Sequence, residues 1–226
     1  PYIFKGPPIF YYKQILSVTQ TIKYATEFSE VQNYCLFIGH GRSGHSLVGS
    51  LLNAHPEMVI AHELDALGFL RTSLPLSQQH LFSLILQRDK NFTGLGRDWE
   101  HYNYNITDAE YQGKYDTLRV VGDKQGGKTS RRLKRNPELL TELEETIDVP
   151  ICMINVVRNP FDNIASMNKR WEMKTEDAID RYFRKVDTIQ TVSERLSDDE
   201  FYRLTYENLI ADTKHELSEL CTFLDV

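Results

Sequence analysis

Cysteine is scarce: Cys35, Cys152 and Cys221 are the only three among 226 residues. They are too few and too scattered for a disulfide framework or a zinc ribbon. Long apolar runs are missing, and none approaches the ~20 residues of a membrane span. His40, His45, His55 and His62 show no H-E-x-x-H pattern, so a zinc hydrolase centre has no support. The nucleophile elbow G-x-S-x-G is absent at Ser43 and Ser46, and with His62 and Asp65 downstream the triad order would be unusual; a serine hydrolase is set aside. Positive charge is in deficit overall, with a net charge of -6, so the chain is not globally a nucleic-acid binder. Repeats, low-complexity tracts and a secretory signal are also lacking. The chain begins at Pro1 rather than Met, which leaves room for a removed leader, anchor or upstream region.

What is present is the composition of a folded protein, 41% hydrophobic and 26% charged, too apolar for disorder. The length fits one domain with a substantial insertion. Aromatic residues crowd the first thirty positions, and Ile15, Val18, Ile22 and Ala25 follow at helical spacing, so residues 1–30 read as an N-terminal helical extension. Short apolar runs at 34–38, 58–61, 118–121, 151–157 and 201–204 read as strands. Helical segments are expected at 46–52, around 81–86, and over 137–147, 161–167, 175–195 and 213–224. Residues 89–117 read as loop-rich, part of an insertion over 62–117. Strands that alternate with helices and are apolar on both faces predict an α/β fold, a central parallel sheet covered by helices on both sides in three layers. Ligands of such sheets sit at the carboxyl ends of the strands, which singles out the loops 39–46, 123–128 and 158–166.

Two of these loops suit an anion. Gly39-His-Gly-Arg-Ser-Gly-His-Ser46 follows a strand and opens a helix, with G-x-x-x-x-G-x-S spacing. Its amides point inward over a helix N-terminus, and Ser43 or Ser46 could add a hydroxyl. The nucleoside-triphosphatase version of the loop needs Lys where His45 stands; here the charge has moved to Arg42. Arg158, not a magnesium-binding carboxylate, follows the strand 151–157, so the site looks built to hold phosphate with cations and amides and no metal. The second loop brings Arg158, then Ser166, then Arg170. The last two share a helix face, and an Arg fork makes two charge-assisted bonds to phosphate. The plainer alternative pairs Arg158 with Asp162. Six cations also run without an acid from Lys124 to Arg135. Either they face a ligand, or they form a solvated helix face balanced by Glu138, Glu142, Glu144 and Glu145.

Taken together these residues resemble the sulfotransferases that use 3′-phosphoadenosine-5′-phosphosulfate (PAPS). Arg42-Ser-Gly-His-Ser-Leu47 is similar to their 5′-phosphosulfate loop, and Arg158 through Ser166 to their 3′-phosphate motif. Tyr206-Glu-Asn-Leu209 with Leu220 to Val226 is similar to their C-terminal strand–helix signature. Arg-Ser-Gly, Leu-Leu-Asn-Ala-His-Pro56, Glu63 and Arg170 bring the chain closer to the tyrosylprotein, Golgi-type and bacterial branch than to the cytosolic one. The resemblance covers roughly residues 34–226 and is weakest at 70–117.

It implies that Arg42 and the amides of Ser43, Gly44, His45 and Ser46 hold the 5′-phosphosulfate. Arg158, Ser166 and Arg170 would bind the 3′-phosphate, and Tyr206 would lie near the nucleotide. Glu63 matches the family's acidic base, with His62 a competing base because imidazole titrates near neutrality. Lys124 matches a Lys that stabilises the transferring sulfuryl group. His45 departs from the usual hydroxyl residue, and the C-terminal glycine-lysine loop of many cytosolic members is absent. The implied reaction is metal-independent in-line sulfuryl transfer from PAPS, leaving 3′-phosphoadenosine-5′-phosphate (PAP), to a small-molecule, carbohydrate or peptide hydroxyl. Two rivals remain open on the residues alone: a P-loop kinase of a small metabolite, and a non-catalytic nucleotide-binding module of the same fold. The insertion at 62–117, rich in Phe, Tyr and His with Trp99, is expected to shape the acceptor pocket. A cytoplasmic site is expected for a bacterial chain, and the Golgi lumen for an excised catalytic domain; the sequons at Asn91 and Asn105 permit the latter.

Overall fold

The computed structural model describes residues 27–71 and 76–226. The N-terminal helix expected around Ile15 to Ala25 lies outside the described residues. After a 3-10 turn at Phe28–Glu30, the elements run β1 (Asn33–Gly39), α1 (His45–Leu52), β2 (Met58–His62), α2 (Ala66–Leu70) and α3 (Gln78–Gly94). A short hairpin follows, β3 (Asp98–Trp99) and β4 (Tyr102–Asn103), then β5 (Val120–Lys124), α4 (Gly126–Arg135) and α5 (Leu139–Ile147). The chain continues with β6 (Ile151–Val157), α6 (Pro160–Trp171), α7 (Thr175–Ser193), β7 (Phe201–Thr205), α8 (Tyr206–Ala211) and α9 (Thr213–Phe223).

Five strands form one sheet in the order β2-β5-β1-β6-β7, every pairing parallel. Alternation along β1 explains the three layers. Tyr34, Leu36 and Ile38 join one core with Leu81, Phe82 and Ile85 of α3, Leu133 of α4 and Leu143 of α5. Cys35 and Phe37 point the other way, into a second core with Val48 and Leu52 of α1, Leu209 of α8 and Leu220 of α9. Each strand is therefore apolar on both faces because both faces are covered.

Local chemistry sets the helix starts. Asn159 accepts hydrogen bonds from the amides of Phe161 and Asp162, with Pro160 in the first turn of α6. Ser77, Thr205 and Asp212 likewise cap α3, α8 and α9 with their side chains.

Several boundaries differ from the sequence reading. The third strand was expected at 118–121 but occupies Val120–Lys124, so Asp123 and Lys124 stand on a strand rather than in a loop. Helix α3 runs on to Gly94 and buries Leu81, Phe82, Leu84 and Ile85, so the front of the expected insertion belongs to the helical layer. Apolar spacing did not foresee α4, because its inward residues are Thr129 and Ser130 beside a single Leu133. Helix α5 begins at Leu139, after Pro137 rather than at it. Among the described residues no helix is long and apolar enough to cross a membrane.

Close packing at the middle of the sheet depends on Gly122 of β5, where an added Cβ would stand 2.5 Å from the Cys35 carbonyl oxygen. Backbone cannot yield as a flexible side chain can. Gly122→Ala is expected to lower the free energy of unfolding by about 1–3 kcal/mol, the range for overpacking, read by urea denaturation.

Candidate active site

All five parallel strands end on the same side, and a cleft of about 660 Å³ opens at their carboxyl ends. The loop after β1 forms its floor. Gly39 and Gly44 take positive φ angles of 146° and 107°, and Arg42, a non-glycine residue, is held at 72°. Such conformations persist where the surroundings over-determine them. Gly44 is required on a second count, because a Cβ there would meet the Tyr206 ring at 2.5 Å. Gly44, His45 and Ser46 at the start of α1 line the cleft, and the first amides of a helix have no intrahelical partner.

Side chains in this loop divide into two sets. The Ser43 hydroxyl donates to the His40 carbonyl at 2.9 Å and is buried away from the cleft. Of the two hydroxyls considered for an anion there, Ser46 lines the cleft and Ser43 does not. His45 is buried too: its Nε2–H donates to the Ile38 carbonyl at 3.1 Å, and Nδ1 lies 3.1 Å from the Ser43 hydroxyl. Burial pushes its pKa down to about 3, so the ring is neutral. It props the loop from below against Gly126, where an added Cβ would touch the imidazole at 2.6 Å.

Arg42 and Arg158 share the cleft. Arg42 donates from Nε to the Ser166 hydroxyl at 3.2 Å and from its terminal nitrogen to Tyr102 at 2.9 Å. Arg158 leans on the Tyr206 ring, 5.1 Å from its centroid, and reaches the Arg42 carbonyl at 3.5 Å. Asp162 is 3.9 Å away, a loose pair. The Arg158 Nε is buried with no hydrogen-bond partner, the kind of orphan that calls for a ligand. Arg170 does not converge with them: it pairs with Glu100 in the β3–β4 turn at 2.9 Å and is not part of the cleft wall. The hairpin outcompetes the expected position because its turn carries a carboxylate straight over the end of α6.

Opposite these arginines stands a compact pair. Lys124, at the end of β5, is 3% exposed; its ammonium donates to Glu63 Oε1 at 3.1 Å and to the Ser46 hydroxyl at 2.8 Å. Gln125 donates to Glu63 Oε2 at 3.3 Å. Burial alone would raise the Glu63 pKa, but the charge and hydrogen bond of Lys124, with help from Lys128 and Gln125, hold it below its ordinary value. Burial likewise draws the Lys124 pKa down, against the pull of Glu63. Glu63 sits at φ 56° just past β2. Two anchors hold it there. Asp123 accepts the Leu64 and Ala66 amides at 2.9 and 2.8 Å, and Asp65 is gripped at both oxygens by Arg132 at 2.6 Å. Asp123 is thus a strand-end carboxylate after all, with both oxygens already engaged by backbone.

His62 lies behind this pair. Its ring is stacked on Phe92 at 4.2 Å, approached by Trp99 and Tyr104, and absent from the cleft wall. Burial, and then Lys124, Arg88 and Arg97, push its pKa far below the usual imidazole value. The cleft is also lined by residues that the sequence reading did not pick as site residues: Trp171 of α6, and Arg181 and Lys185 of α7. For Arg181 and Lys185 the only signal was charge on a long helix, which any solvated face shares. Among the described residues no three His, Cys, Asp or Glu side chains gather as a metal-binding group.

The sulfotransferase family model matches residues 36–226, nearly the whole described chain. No curated protein matches in sequence. Among solved structures, the sulfotransferase domain of the Synechococcus PCC 7002 olefin synthase aligns with 87% of this chain and 74% of its own, at 18% identity and a TM-score of 0.56. The sulfotransferase domain from the curacin biosynthetic pathway aligns with 87% of this chain and 75% of its own, also at 18% identity and 0.56. At that identity the likeness is one of fold.

The Lys124–Glu63 contact makes a pH prediction. Since the folded pKa of Glu63 is depressed below 4.5, its share of stability is present above that pH and is lost as pH falls through the folded value. In Lys124→Met the desolvation penalty stands unopposed by its main partner. The Glu63 titration, followed by carbon-13 NMR, should then move above 4.5 and its contribution should change sign.

Proposed function

Because the chain belongs to the sulfotransferase family, we propose that it moves a sulfuryl group from PAPS to a hydroxyl acceptor, leaving PAP, with cations and amides in place of a metal ion. The observation that carries this reading is the Lys124 ammonium, bonded at once to a hydroxyl of the phosphate loop and to a carboxylate open to the cleft. PAPS, when bound, supplies the activated sulfuryl group and a phosphate leaving group.

The residues fit such a donor. Arg42 and the amides of Gly44, His45 and Ser46 bind its phosphosulfate end. Arg158, whose Nε has no partner of its own, binds the 3′-phosphate together with Ser166. Tyr206, already under Arg158 and against Gly44, packs on the nucleoside. Arg170 joins them only if it exchanges Glu100 for the phosphate.

Lys124 holds positive charge where the leaving oxygen gains negative charge, and it does so in a site largely closed to water, where such charge acts strongly. Glu63 takes the proton of the acceptor hydroxyl. It is ionised at neutral pH, and it lines the cleft where His62 does not. The β3–β4 hairpin, with Trp99, Tyr102 and Tyr104, closes the acceptor side. Both Asp123 oxygens accept backbone amides, which leaves the strand end without the free carboxylate of a magnesium-dependent kinase.

Transfer of labelled sulfate from PAPS to a panel of hydroxyl acceptors should persist with EDTA present. Glu63→Gln should lower kcat by about 10²–10⁴-fold, the usual worth of a general base, with PAP affinity by calorimetry unchanged. No turnover across the panel, with no heat on adding PAP, would overturn the assignment.

A further inference from the structure

The cleft holds more positive charge than the donor reading above assigns to PAPS. Arg131 of α4 and Arg181 and Lys185 of α7 line it, with Trp171, which carries Arg181, close to Gly41 of the loop after β1. Among the described residues no carboxylate lies within ion-pairing distance of any of the three. Arg181 rests its guanidinium on the Trp171 ring, 4.4 Å from the centroid, and otherwise meets the Met173 sulfur at 3.9 Å. Lys185 projects to where α4 meets the phosphate loop: a Cβ built on Gly127 would stand 3.4 Å from its ammonium and 3.6 Å from the Gly41 amide. The same point receives the N-terminal end of α4, a ten-residue helix with Gly126 and Gly127 in its first turn.

Three like charges at one wall, with no acid among them, repel one another. Burial, then Arg181 and Arg131, lower the Lys185 pKa to about 8. Arg132, on the same helix, shows the contrast: it faces Asp65 and is fully paired. Arg131 is exposed and Arg181 and Lys185 are half-buried, and cations gathered in a cleft without an acid partner suit an anionic ligand.

We propose that Arg131, Arg181 and Lys185 form an anchoring site for an oxyanion carried by the acceptor, so that the hydroxyl substrate bears a carboxylate, sulfate or phosphate group. This rests on the sulfuryl-transfer reading and names its substrate class. The anchor lies beyond Lys124 along α4, with Gln125, Gly126 and Gly127 between them in sequence and in the cleft wall. An acceptor held there by its anion would bring its hydroxyl toward Glu63.

The test is calorimetry on the protein saturated with PAP, titrated in separate arms with inorganic sulfate, inorganic phosphate and acetate. One of these should bind as a second anion, and the arm that does so names the group. Arg131→Gln with Lys185→Gln should weaken it by about tenfold or more, the loss expected on removing charge-assisted bonds, and leave PAP affinity unchanged. Arg131→Lys with Lys185→Arg, which keeps the charges, should retain it. Absence of a second anion, or one indifferent to the Gln variants and so seated at Lys124, would overturn the proposal. So would a parallel loss of PAP affinity, which would assign these cations to the donor. Failure of the unmodified protein to bind PAP at all would instead strike the functional reading, and this inference with it.

Discussion

The buried ammonium of Lys124 is the contact on which the site depends. Taking a cation out of water is costly, and the cost is offset only if good partners surround it. Glu63 supplies the charge, Ser46 accepts a hydrogen bond and His62 Nε2 stands 3.5 Å away, so three segments remote in sequence are drawn to one point: the loop after β1, the end of β2 and the end of β5. The parallel register makes this possible. His62 and Lys124 are paired residues in the β2–β5 ladder, which places Glu63 one step past the end of its strand and level with the ammonium. Gly49 of α1 lets the lysine stem pass, since a Cβ there would meet its Cγ at 2.8 Å.

Around that contact the protein uses carboxylates as fasteners. Asp123, 1% exposed, accepts two amides of the turn after β2. Asp65 at φ 69° is locked by Arg132. Each works on backbone held in a sparsely populated conformation, and together they keep Glu63 pointing into the cleft rather than relaxing toward solvent. A second layer, Asp89 bonded to Arg97 and Asn53, sits beneath the aromatic cluster of His62, Phe92 and Trp99. His62 thus belongs to the packing that supports the carboxylate.

The fold was legible because its signal is local. Strands buried on both faces read as continuous apolar runs, and 151–157 or 34–38 could hardly be anything else. The loop at 39–46 was legible for a related reason: glycines are needed where φ is positive, as at Gly39 and Gly44. Helix α4 was missed because its buried face is made of Thr129, Ser130 and Leu133 under a dense coat of cations, so its apolar period is faint. The strand β5 was read too early, since Asp123 and Lys124 look like loop residues until their partners are known.

What the chain determined alone was therefore the layered α/β plan and the strand–loop–helix around 39–46, with Arg42, Glu63, Lys124 and Arg158 as candidates that the structure brings to one cleft. Hydrophobic periodicity and backbone sterics act over a few residues, so a linear reading captures them. Which of Ser43 and Ser46 and which of Glu63 and His62 lines the cleft, and where Arg170 turns, were decided only by tertiary structure. Those choices hang on contacts between residues far apart in sequence, such as Lys124 with Glu63, 61 positions apart, and Arg42 with Ser166, 124 apart. Side-chain direction at a strand end is set by register and by neighbours, and neither is written in the spacing of the residues themselves.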